Sequence, residues 1–245
     1  MIFRQLYEPL SSTYTYLLAS EATGEALLVD PVLPTWQRDL AVLAKLGLTL
    51  RYTVETHVHA DHLTSAARLK RETGCQIVYP ALDRFPGVDR HIDEGRPLLM
   101  GGVLLEGLAT PGHTDDHYAY RAGDRVLTGD ALLIDGCGRT DFQNGDAATL
   151  YRSVHEKLFT LPDDTLVYPG HDYHGRQVSC IAQEKARNPR LGEGRDLASF
   201  LETMAALDLP YPTFIDYAVP GNRALGECPP DVPQALRAYC AVAAA

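Results

Sequence analysis

Four side chains of the kind that bind transition metals fall within six residues of this sequence, in the run His57-Val-His59-Ala-Asp61-His62. The run lies where a predicted strand passes into a predicted helix. Residues at i and i+2 of a strand face the same side, so we expect His57 and His59 together. The turn into the helix then brings Asp61 and His62 towards the same point. Imidazoles around a carboxylate are typical of a transition-metal site, and the alternative is a helix-capping Asp61 among surface histidines.

Three further segments each place a ligand-type residue directly after a glycine. They are PGHT with His113, TGD with Asp130 and PGHD with His171. Glycine permits a tight bend where a strand ends, so each side chain can turn back to the rim of a sheet. Each turn alone is ordinary, but together with the first cluster they favour a shared metal centre over coincidence.

The segments between these motifs have the pattern expected of the strands and helices that position them. Alternating apolar residues predict strands, one of which runs directly into His57, and apolar residues at helical spacing predict helices. The predicted strands are 13–19, 25–29, 48–56, 103–108, 118–121, 126–127 and 165–168, with short ones near 77 and 98. The predicted helices are 36–46, 62–73, 147–159, 176–186 and 194–206. Runs of strands with helices between and after them indicate an α+β protein with two sheets flanked by helices.

Composition limits the domain count and the function classes. The chain has 245 residues, of which 45% are hydrophobic and 22% charged, which is typical of a globular protein. We expect one domain over residues 1–245, with an irregular, Pro-rich extension from about residue 210. A net charge of −10 disfavours a nucleic-acid or anionic-membrane partner. No stretch approaches the ~20 apolar residues of a membrane span.

The cysteines indicate the cellular compartment. The sequence has five of them, never arranged as C-x-x-C, so neither a disulfide framework nor a zinc ribbon is indicated. Cys137 is predicted to be a small buried residue and not a nucleophile. A reducing compartment fits this usage, so we expect a cytoplasmic protein, or one of the mitochondrial matrix if the chain is a processed form. The sequence leaves open whether two copies form a homodimer.

The set THVHADH, PGHT, TGD and PGHD resembles the metallo-β-lactamase superfamily, whose motifs occur in the same order. The resemblance implies an αββα sandwich with one or two metals at the rim between its sheets. Within that superfamily, the segment GDALLIDGCGRTDFQ, which begins at Gly129, is similar to persulfide dioxygenases, also called sulfur dioxygenases. The NPRL segment at 188–191 and FIDYAVPGN near the C-terminus resemble the same family. Glutathione thioester hydrolases of the glyoxalase II type share a related GCG turn but are less similar around it.

The resemblance implies one ferrous ion per chain, held by His57, His113 and Asp130. Two imidazoles and one carboxylate leave adjacent coordination positions for dioxygen and a persulfide sulfur. The implied reaction converts glutathione persulfide, dioxygen and water to sulfite and glutathione. On this hypothesis the remaining ligand-type residues orient the ligands or shape the cavity. They are His59, Asp61, His62 and His171.

The same residues are numerous enough to hold two zinc ions bridged by Asp130. Such ions, ~3.5–4 Å apart, would generate a hydroxide that attacks a glutathione thioester. Ligand types alone leave open whether a second metal binds at Asp61, His62 and His171. The segment around Asp130 favours iron by resemblance.

Glutathione carries two carboxylates, so an acidic protein that binds it needs a local cation. Arg139 follows Asp130 by nine residues, and a guanidinium can grip a carboxylate with two hydrogen bonds. The alternative for Arg139 is a salt bridge to Asp141 or Asp135. Tyr173 lies at the position where related glutathione enzymes have a binding tyrosine, which makes it the second candidate for substrate binding.

Overall fold

The computed structural model describes residues 1–82, 85–229 and 232. Strands β1 to β6 are Ile2–Glu8, Thr13–Ala19, Glu25–Val29, Thr49–Val54, Gln76–Pro80 and Arg90–Ile92. Strands β7 to β12 are Leu98–Met100, Val103–Ala109, Tyr118–Ala122, Arg125–Gly129, Leu166–Pro169 and Ser179–Cys180. Helices α1 to α6 are Trp36–Lys45, Ala66–Thr73, Ala147–Ser153, Ile181–Arg187, Leu197–Ala205 and Ile215–Arg223. A 3₁₀ turn at Leu33–Thr35 precedes α1, and a π-helix at Val154–Leu158 continues α3.

The strands form two mixed sheets, in the orders β1-β2-β3-β4-β5-β6 and β12-β11-β10-β9-β8-β7. Strands β3, β4 and β5 pair in parallel, as do β10 and β11. The antiparallel pairs are β1–β2, β2–β3, β8–β9, β9–β10 and β11–β12. Two mixed sheets with helices confirm the predicted α+β class. Among the described residues, no helix combines the length and the apolar character needed to cross a bilayer.

The chain divides into two compact units, and each holds most of one sheet. The first comprises residues 1–91, 99–103 and 211–229 of the described chain, and the second comprises 92–98 and 104–210. The prediction of one domain over residues 1–245 stays a prediction. Residues 211–229, which we expected to be irregular, contain α6, and the end of the predicted extension lies outside the described residues.

Each unit has its own apolar core. In the first unit, every residue of β2 is buried, and Trp36 and Leu43 of α1 pack with Leu17, Leu28 and Leu50 of the strands. In the second unit, residues of α3, α4 and α5 pack against β10 and β11. That core contains Val126, Leu150, Val167, Ile181 and Phe200.

The direction of the strands determines where the ligand-type residues emerge. β9 is antiparallel to both β8 and β10, so β8 runs parallel to β10, and β10 runs parallel to β11. The carboxyl ends of β8, β10 and β11 therefore meet at one edge of the second sheet. His113, Asp130 and His171 follow these three ends. In the first sheet, His57 follows the end of β4.

Two of the predicted helices begin well before the observed ones, and the first strand was not predicted; each difference has a reason in tertiary contacts. The helix predicted over 62–73 begins at Ala66, because Thr64 donates its backbone N–H to Asn222 Oδ1 and bridges to Val32. The helix predicted over 176–186 begins at Ile181, because Ser179 and Cys180 pair with β11. Strand β1 went unpredicted, although its seven residues pair along the whole of β2.

Helix α6 forms although it contains a proline, because other residues of the helix pack into the core. Pro220 lies inside it and removes one backbone donor. Tyr217, Ala218 and Asn222 are nevertheless buried there, and Tyr217 joins the core of the first unit. The Pro-rich composition of this segment therefore gave the wrong prediction.

The ionisation of Asp39 is expected to make the stability of the protein fall as pH rises. This carboxyl on α1 is fully buried, and burial raises its pKa from 3.8 to about 6 despite the ion pair with Arg38. Between these values the folded protein keeps a proton that the unfolded chain loses, so the free energy of unfolding falls with rising pH. Two pH units correspond to about 3 kcal/mol.

Asp39→Asn is therefore expected to stabilise the protein by about 1–2 kcal/mol near pH 8, after allowance for the lost ion pair with Arg38. Urea unfolding of both proteins at about pH 4 and about pH 8 measures the difference. An identical pH dependence in the two proteins would show that Asp39 ionises normally.

Candidate metal centre

His57 has a tautomer set by its neighbours. The hydroxyl of Thr56 donates to Asp30 Oδ2 at 2.9 Å. The hydroxyl oxygen of Thr56 also lies 2.9 Å from His57 Nδ1 and therefore accepts a hydrogen bond from Nδ1–H. The lone pair of this imidazole then lies on Nε2. A neutral imidazole with one N–H held by a neighbour and the other nitrogen as donor is the usual form of a metal ligand.

A buried carboxylate cluster surrounds His59. Its Nε2 lies 3.1 Å from Asp30 Oδ1 and 3.4 Å from Glu55 Oε2, and all three side chains are at most 2% exposed. Burial alone would lower the pKa of His59, but the charges of Asp30 and Glu55 raise it well above its usual value. Nε2 of His59 faces both carboxylates, and its Nδ1 is buried and has no hydrogen-bond partner among the described residues. Asp30 links His59 to Thr56 and so to His57.

Asp61 and His62 form a second group with His59. Asp61 Oδ2 lies 3.0 Å from His62 Nδ1, and one potential ligand atom from each of the three residues lies within 4.8 Å of the others. The side-chain amide of Asn222 donates to the carbonyl oxygens of His59 and His62, at 2.8 Å each. Nε2 of His62 is buried and has no hydrogen-bond partner in the described part of the chain.

His113 and Asp130 converge in the second unit. His113 Nδ1 donates to the carbonyl oxygen of Arg139 at 2.7 Å, which leaves the lone pair on Nε2. That Nε2 lies 3.5 Å from Asp130 Oδ2, and the two side chains are 13% and 14% exposed. Two donor atoms this close, on partly exposed side chains, are suited to share one metal ion.

Asp130 is held from both sides. His171 Nδ1 lies 2.7 Å from Asp130 Oδ1 and donates to it, so Oδ2 is the oxygen turned towards His113. The backbone N–H of Asp130 donates to His117 Nε2 at 3.1 Å, and His117 Nδ1 donates to Thr110 Oγ1 at 2.8 Å. Both nitrogens of His117 are thus used in positioning Asp130, which excludes it as a ligand in this arrangement.

Two glycines allow the chain to approach these ligands closely. A Cβ on Gly138 would lie 2.5 Å from the carbonyl oxygen of Asp130 and 2.7 Å from His113 Nδ1. A Cβ on Gly170 would lie 2.6 Å from Asp130 Oδ1. These distances are shorter than real side chains adopt, so the GCG and PGH turns need glycine for contact as well as for bending.

Comparison with known proteins places this geometry in a family. Residues 9–171 match the family model of the metallo-β-lactamase superfamily. The chain is 48% identical over 236 residues to the protein named persulfide dioxygenase ETHE1, mitochondrial, of Bos taurus, covering 94% of this chain and 91% of that one. It superimposes on the crystal structure of ETHE1 from Myxococcus xanthus with a TM-score of 0.90 and 52% identity, covering 92% of this chain and all of that one. The chain belongs to the persulfide dioxygenase family.

Membership of the persulfide dioxygenase family confirms the resemblance and the metallo-β-lactamase fold predicted from the sequence. Hydrolases are more distant: a hydroxyacylglutathione hydrolase of Rhodospirillum rubrum is 36% identical over 186 residues, covering 74% of this chain and 71% of that one. The segment around Asp130 therefore identified the nearer of the two relatives correctly.

Arg139 forms the salt bridge to Asp141 that is the alternative to a role in substrate binding. Its guanidinium pairs with Asp141 at 2.6 and 2.7 Å, donates to the carbonyl oxygen of Pro210 and lies over the ring of Phe142. Tyr173 is 71% exposed, and its ring stacks 6.1 Å from that of His171. Their binding of substrate stays a prediction of the family resemblance.

Cys137, the cysteine of the GCG turn in this persulfide dioxygenase family member, is unsuited to nucleophilic attack. Cys137 is buried, and burial raises the pKa of its thiol. Cys75 and Cys180 are also free thiols, whereas Cys228 is disulfide-bonded, a bond for which the sequence gave no indication. Cys240 lies outside the described residues.

Sequence reasoning missed several groups that position the candidate metal ligands. Asp30 directly follows β3, so the strand-end pattern that indicated Asp130 would also have indicated it. Asn222 ends the FIDYAVPGN segment that resembles the family, but nothing in that segment indicated its contact with residues 59 and 62. The role of the Arg139 carbonyl oxygen was not predictable, because every residue has a backbone carbonyl and a sequence pattern reports only on side chains.

Proposed function

We propose that this protein is a mononuclear iron dioxygenase that oxidises glutathione persulfide with dioxygen and water to sulfite and glutathione. In this reaction the outer sulfur of the persulfide loses four electrons to dioxygen, the sulfur–sulfur bond breaks, and glutathione leaves with its thiol. The sequence identity to persulfide dioxygenases over nearly the whole chain is the observation that carries the proposal.

The donor set fits ferrous iron. We propose His57, His113 and Asp130 as the ligands, two imidazoles and one carboxylate, which is the set typical of non-haem iron oxygenases. The neighbours of both histidines leave the lone pair on Nε2, and His171 leaves Oδ2 of Asp130 turned towards His113. When bound, the iron supplies adjacent positions for sulfur and dioxygen and a path for electrons between them.

The surrounding residues keep these donors in one form. The carbonyl of Arg139 keeps the proton of His113 on Nδ1, and His117 and His171 fix the backbone and carboxylate of Asp130. The orientation of Asp130 is therefore already determined before a metal ion binds. This lowers the conformational freedom that is lost on metal binding.

We propose Arg139 and Tyr173 as contacts for the glutathione part of the substrate. Asp141 and Pro210 use three of the five guanidinium N–H groups of Arg139, and among the described residues the other two donate to no protein group and can meet a carboxylate. Tyr173 is 71% exposed and its ring stacks beside that of His171, which places it next to the proposed centre as the second contact.

Oxygen uptake with glutathione persulfide, measured together with the metal content of the same sample, tests the function. Protein purified without oxygen is expected to contain about one iron per chain and to produce sulfite in proportion to iron. Two tightly bound zinc ions per chain, with no iron-dependent oxygen uptake, would overturn the proposal.

A dizinc thioester hydrolase is the second candidate, and one observation favours it. Nε2 of His62 is buried, has no partner in the described residues and lies on a residue that contacts Asp61, as a ligand of a second metal would. Cleavage of S-lactoylglutathione that continues without oxygen, in protein that does not oxidise persulfide, would establish this activity. Iron-dependent oxygen uptake without thioester cleavage would exclude it.

Location and oligomeric state stay predictions. The Bos taurus relative is named as mitochondrial, which accords with the matrix alternative for this chain. A cytoplasmic location and a homodimer are the other expectations.

Arg139→Ala is expected to raise the KM for glutathione persulfide by about 10-fold or more while iron stays bound, since a hydrogen bond to a charged group contributes about 1.5–3 kcal/mol. The backbone carbonyl that holds His113 survives the substitution. Steady-state kinetics with metal quantification separate the two effects. Arg125→Ala is the matched control, because Arg125 also pairs with a neighbouring aspartate, Asp124. An equal KM in both variants would remove Arg139 from the binding site.

A further inference from the structure

The turn between Asp130 and Arg139 is held by a buried polar network that lies outside the metal ligands. The network is built from α4 and the NPRL segment that follows it. Glu184, on α4, is fully buried, and its carboxylate accepts hydrogen bonds from the hydroxyl of Ser179, the backbone N–H of Asp135 and the amide of Asn188. A buried carboxylate with three donors is a fixed point for the chain around it.

Asn188 connects this fixed point to the turn. Its side-chain Nδ2 donates to Glu184 Oε2 at 2.9 Å and to the carbonyl oxygen of Gly136 at 3.0 Å. Its Oδ1 accepts from the backbone N–H groups of Arg190 and Leu191, at 3.1 Å each. The side chain is buried and all of its hydrogen-bonding groups are used, so it has one orientation.

Arg190 forms a hydrogen bond to the next residue of the turn, Cys137. Its guanidinium donates to the carbonyl oxygen of Cys137 at 3.0 Å. Backbone groups of Asp135, Gly136 and Cys137 are thus bonded in succession by side chains of α4 and the NPRL segment. Asp135 has a positive φ of 55°, a conformation that is uncommon for residues other than glycine, and its backbone N–H is held there by Glu184.

The turn ends at the group that selects the tautomer of His113. Directly after Cys137, the N–H of Gly138 donates to the carbonyl oxygen of Asp130 at 2.7 Å. The carbonyl oxygen of Arg139 then accepts the proton-bearing Nδ1 of His113 at 2.7 Å. A displacement of residues 136–138 therefore moves both the carbonyl that orients one ligand and a bond to the backbone of the other.

We propose that Asn188 is a positioning residue of the metal centre, which acts through the 136–139 turn to hold His113 in the Nδ1–H tautomer with Nε2 directed at the metal. The proposal rests on the proposed metal ligands His113 and Asp130. It predicts that a residue on the far side of the turn affects metal affinity without contacting a ligand.

The tautomer is measurable without metal or substrate. Long-range ¹H–¹⁵N correlation spectra of the metal-free protein distinguish Nδ1–H from Nε2–H imidazoles, and His113 is expected as Nδ1–H in the wild type. Asn188→Asp keeps an acceptor for Arg190 and Leu191 but replaces the two N–H donors by at most one O–H, beside the buried carboxylate of Glu184. His113 is therefore expected to lose the single Nδ1–H signature. A wild-type signature for His113 in Asn188→Asp would overturn the proposal.

Metal affinity gives the second measurement, with cobalt(II) as the probe and its visible absorption as the signal. The dissociation constant of cobalt is expected to rise about 10–100-fold in Asn188→Asp, the range found when a hydrogen-bonding partner of a ligand is lost. Arg190→Met, which removes only the donor to Cys137, is a milder variant that keeps the test available if Asn188→Asp folds poorly, and we expect a smaller rise in the same direction.

Asp196→Ala is the control for general destabilisation. It removes the N-cap of α5, where Asp196 accepts from the N–H of Ser199, at the end of the helix opposite to Met204, which contacts Cys137. Cobalt affinity in Asp196→Ala is expected to equal that of the wild type, and an equal loss in this variant would show that Asn188 acts only through stability. Persulfide oxidation by the wild type is a separate measurement, so failure of the dioxygenase proposal and failure of the positioning proposal have different signatures.

Discussion

His113→Ala is expected to abolish iron binding and persulfide-dependent oxygen uptake together. The imidazole is one of only three proposed protein ligands, and its Nε2 faces Asp130 Oδ2 at 3.5 Å. Loss of a ligand is expected to weaken metal binding by more than the ~100-fold upper range for loss of an outer partner. Iron content after anaerobic reconstitution and the rate of oxygen uptake measure both effects in one sample.

The fold of the His113→Ala variant is expected to persist. The side chain is partly exposed and lies outside the apolar core of its unit, so its removal leaves no large cavity. Thermal unfolding of the metal-free proteins checks this point. A variant that folds normally and still holds iron at full occupancy would remove His113 from the ligand set.

His91→Ala is the matched control for the loss of an imidazole. His91 is exposed on β6, and we expect its replacement to leave iron content and turnover unchanged. A comparable loss of iron in His91→Ala would mean that the protein binds metal through exposed histidines, and the effect of His113→Ala would then carry no information about the centre.

The sequence predicts the strands well where local pattern and tertiary environment agree. Strands at 13–19 and 25–29 have the predicted bounds, because alternating or continuous apolar runs there are also buried in the sheet. At residues 62–65 the local pattern and the tertiary environment disagree. Their helical pattern is overridden by contacts with Val32 and Asn222, which are distant in sequence and carry no local signal.

The candidate ligands were predictable for a geometric reason. His113, Asp130 and His171 each follow a strand, and parallel strand ends meet at one edge of a sheet. A sequence records which strand end carries a ligand-type residue. It does not record which groups fix the tautomers, since these are backbone carbonyls or side chains of remote segments.

Arg139 illustrates that limit. The sequence directs attention to its guanidinium, which the structure pairs with Asp141. Its bond to the centre comes instead from the carbonyl oxygen, which any residue at this position would supply. Position 139 needs a backbone that lies close to His113. Gly138 makes this close approach possible, because a side chain there would clash with His113.

Gly138→Ala is accordingly expected to damage the centre more than a single methyl group normally would. Its Cβ would lie 2.5 Å from the carbonyl oxygen of Asp130 and 2.7 Å from His113 Nδ1, so the turn or the imidazole has to move. Either movement lengthens the bond between His113 and the carbonyl of Arg139. We expect iron affinity to fall by about 10–100-fold and stability by about 1–3 kcal/mol.

The other glycine of the same GCG turn provides the control. A Cβ on Gly136 would meet only Leu133 Cβ, at 3.9 Å, which is an ordinary contact, and Gly136 has no positive φ. Gly136→Ala is therefore expected to keep iron affinity and turnover. Iron affinity by chelator competition and unfolding in urea, measured for both variants, compare two alanines that differ only in position. Equal losses in the two variants would show that the effect is not specific to position 138, whereas a loss confined to Gly138→Ala locates the requirement at the contact with His113 and Asp130.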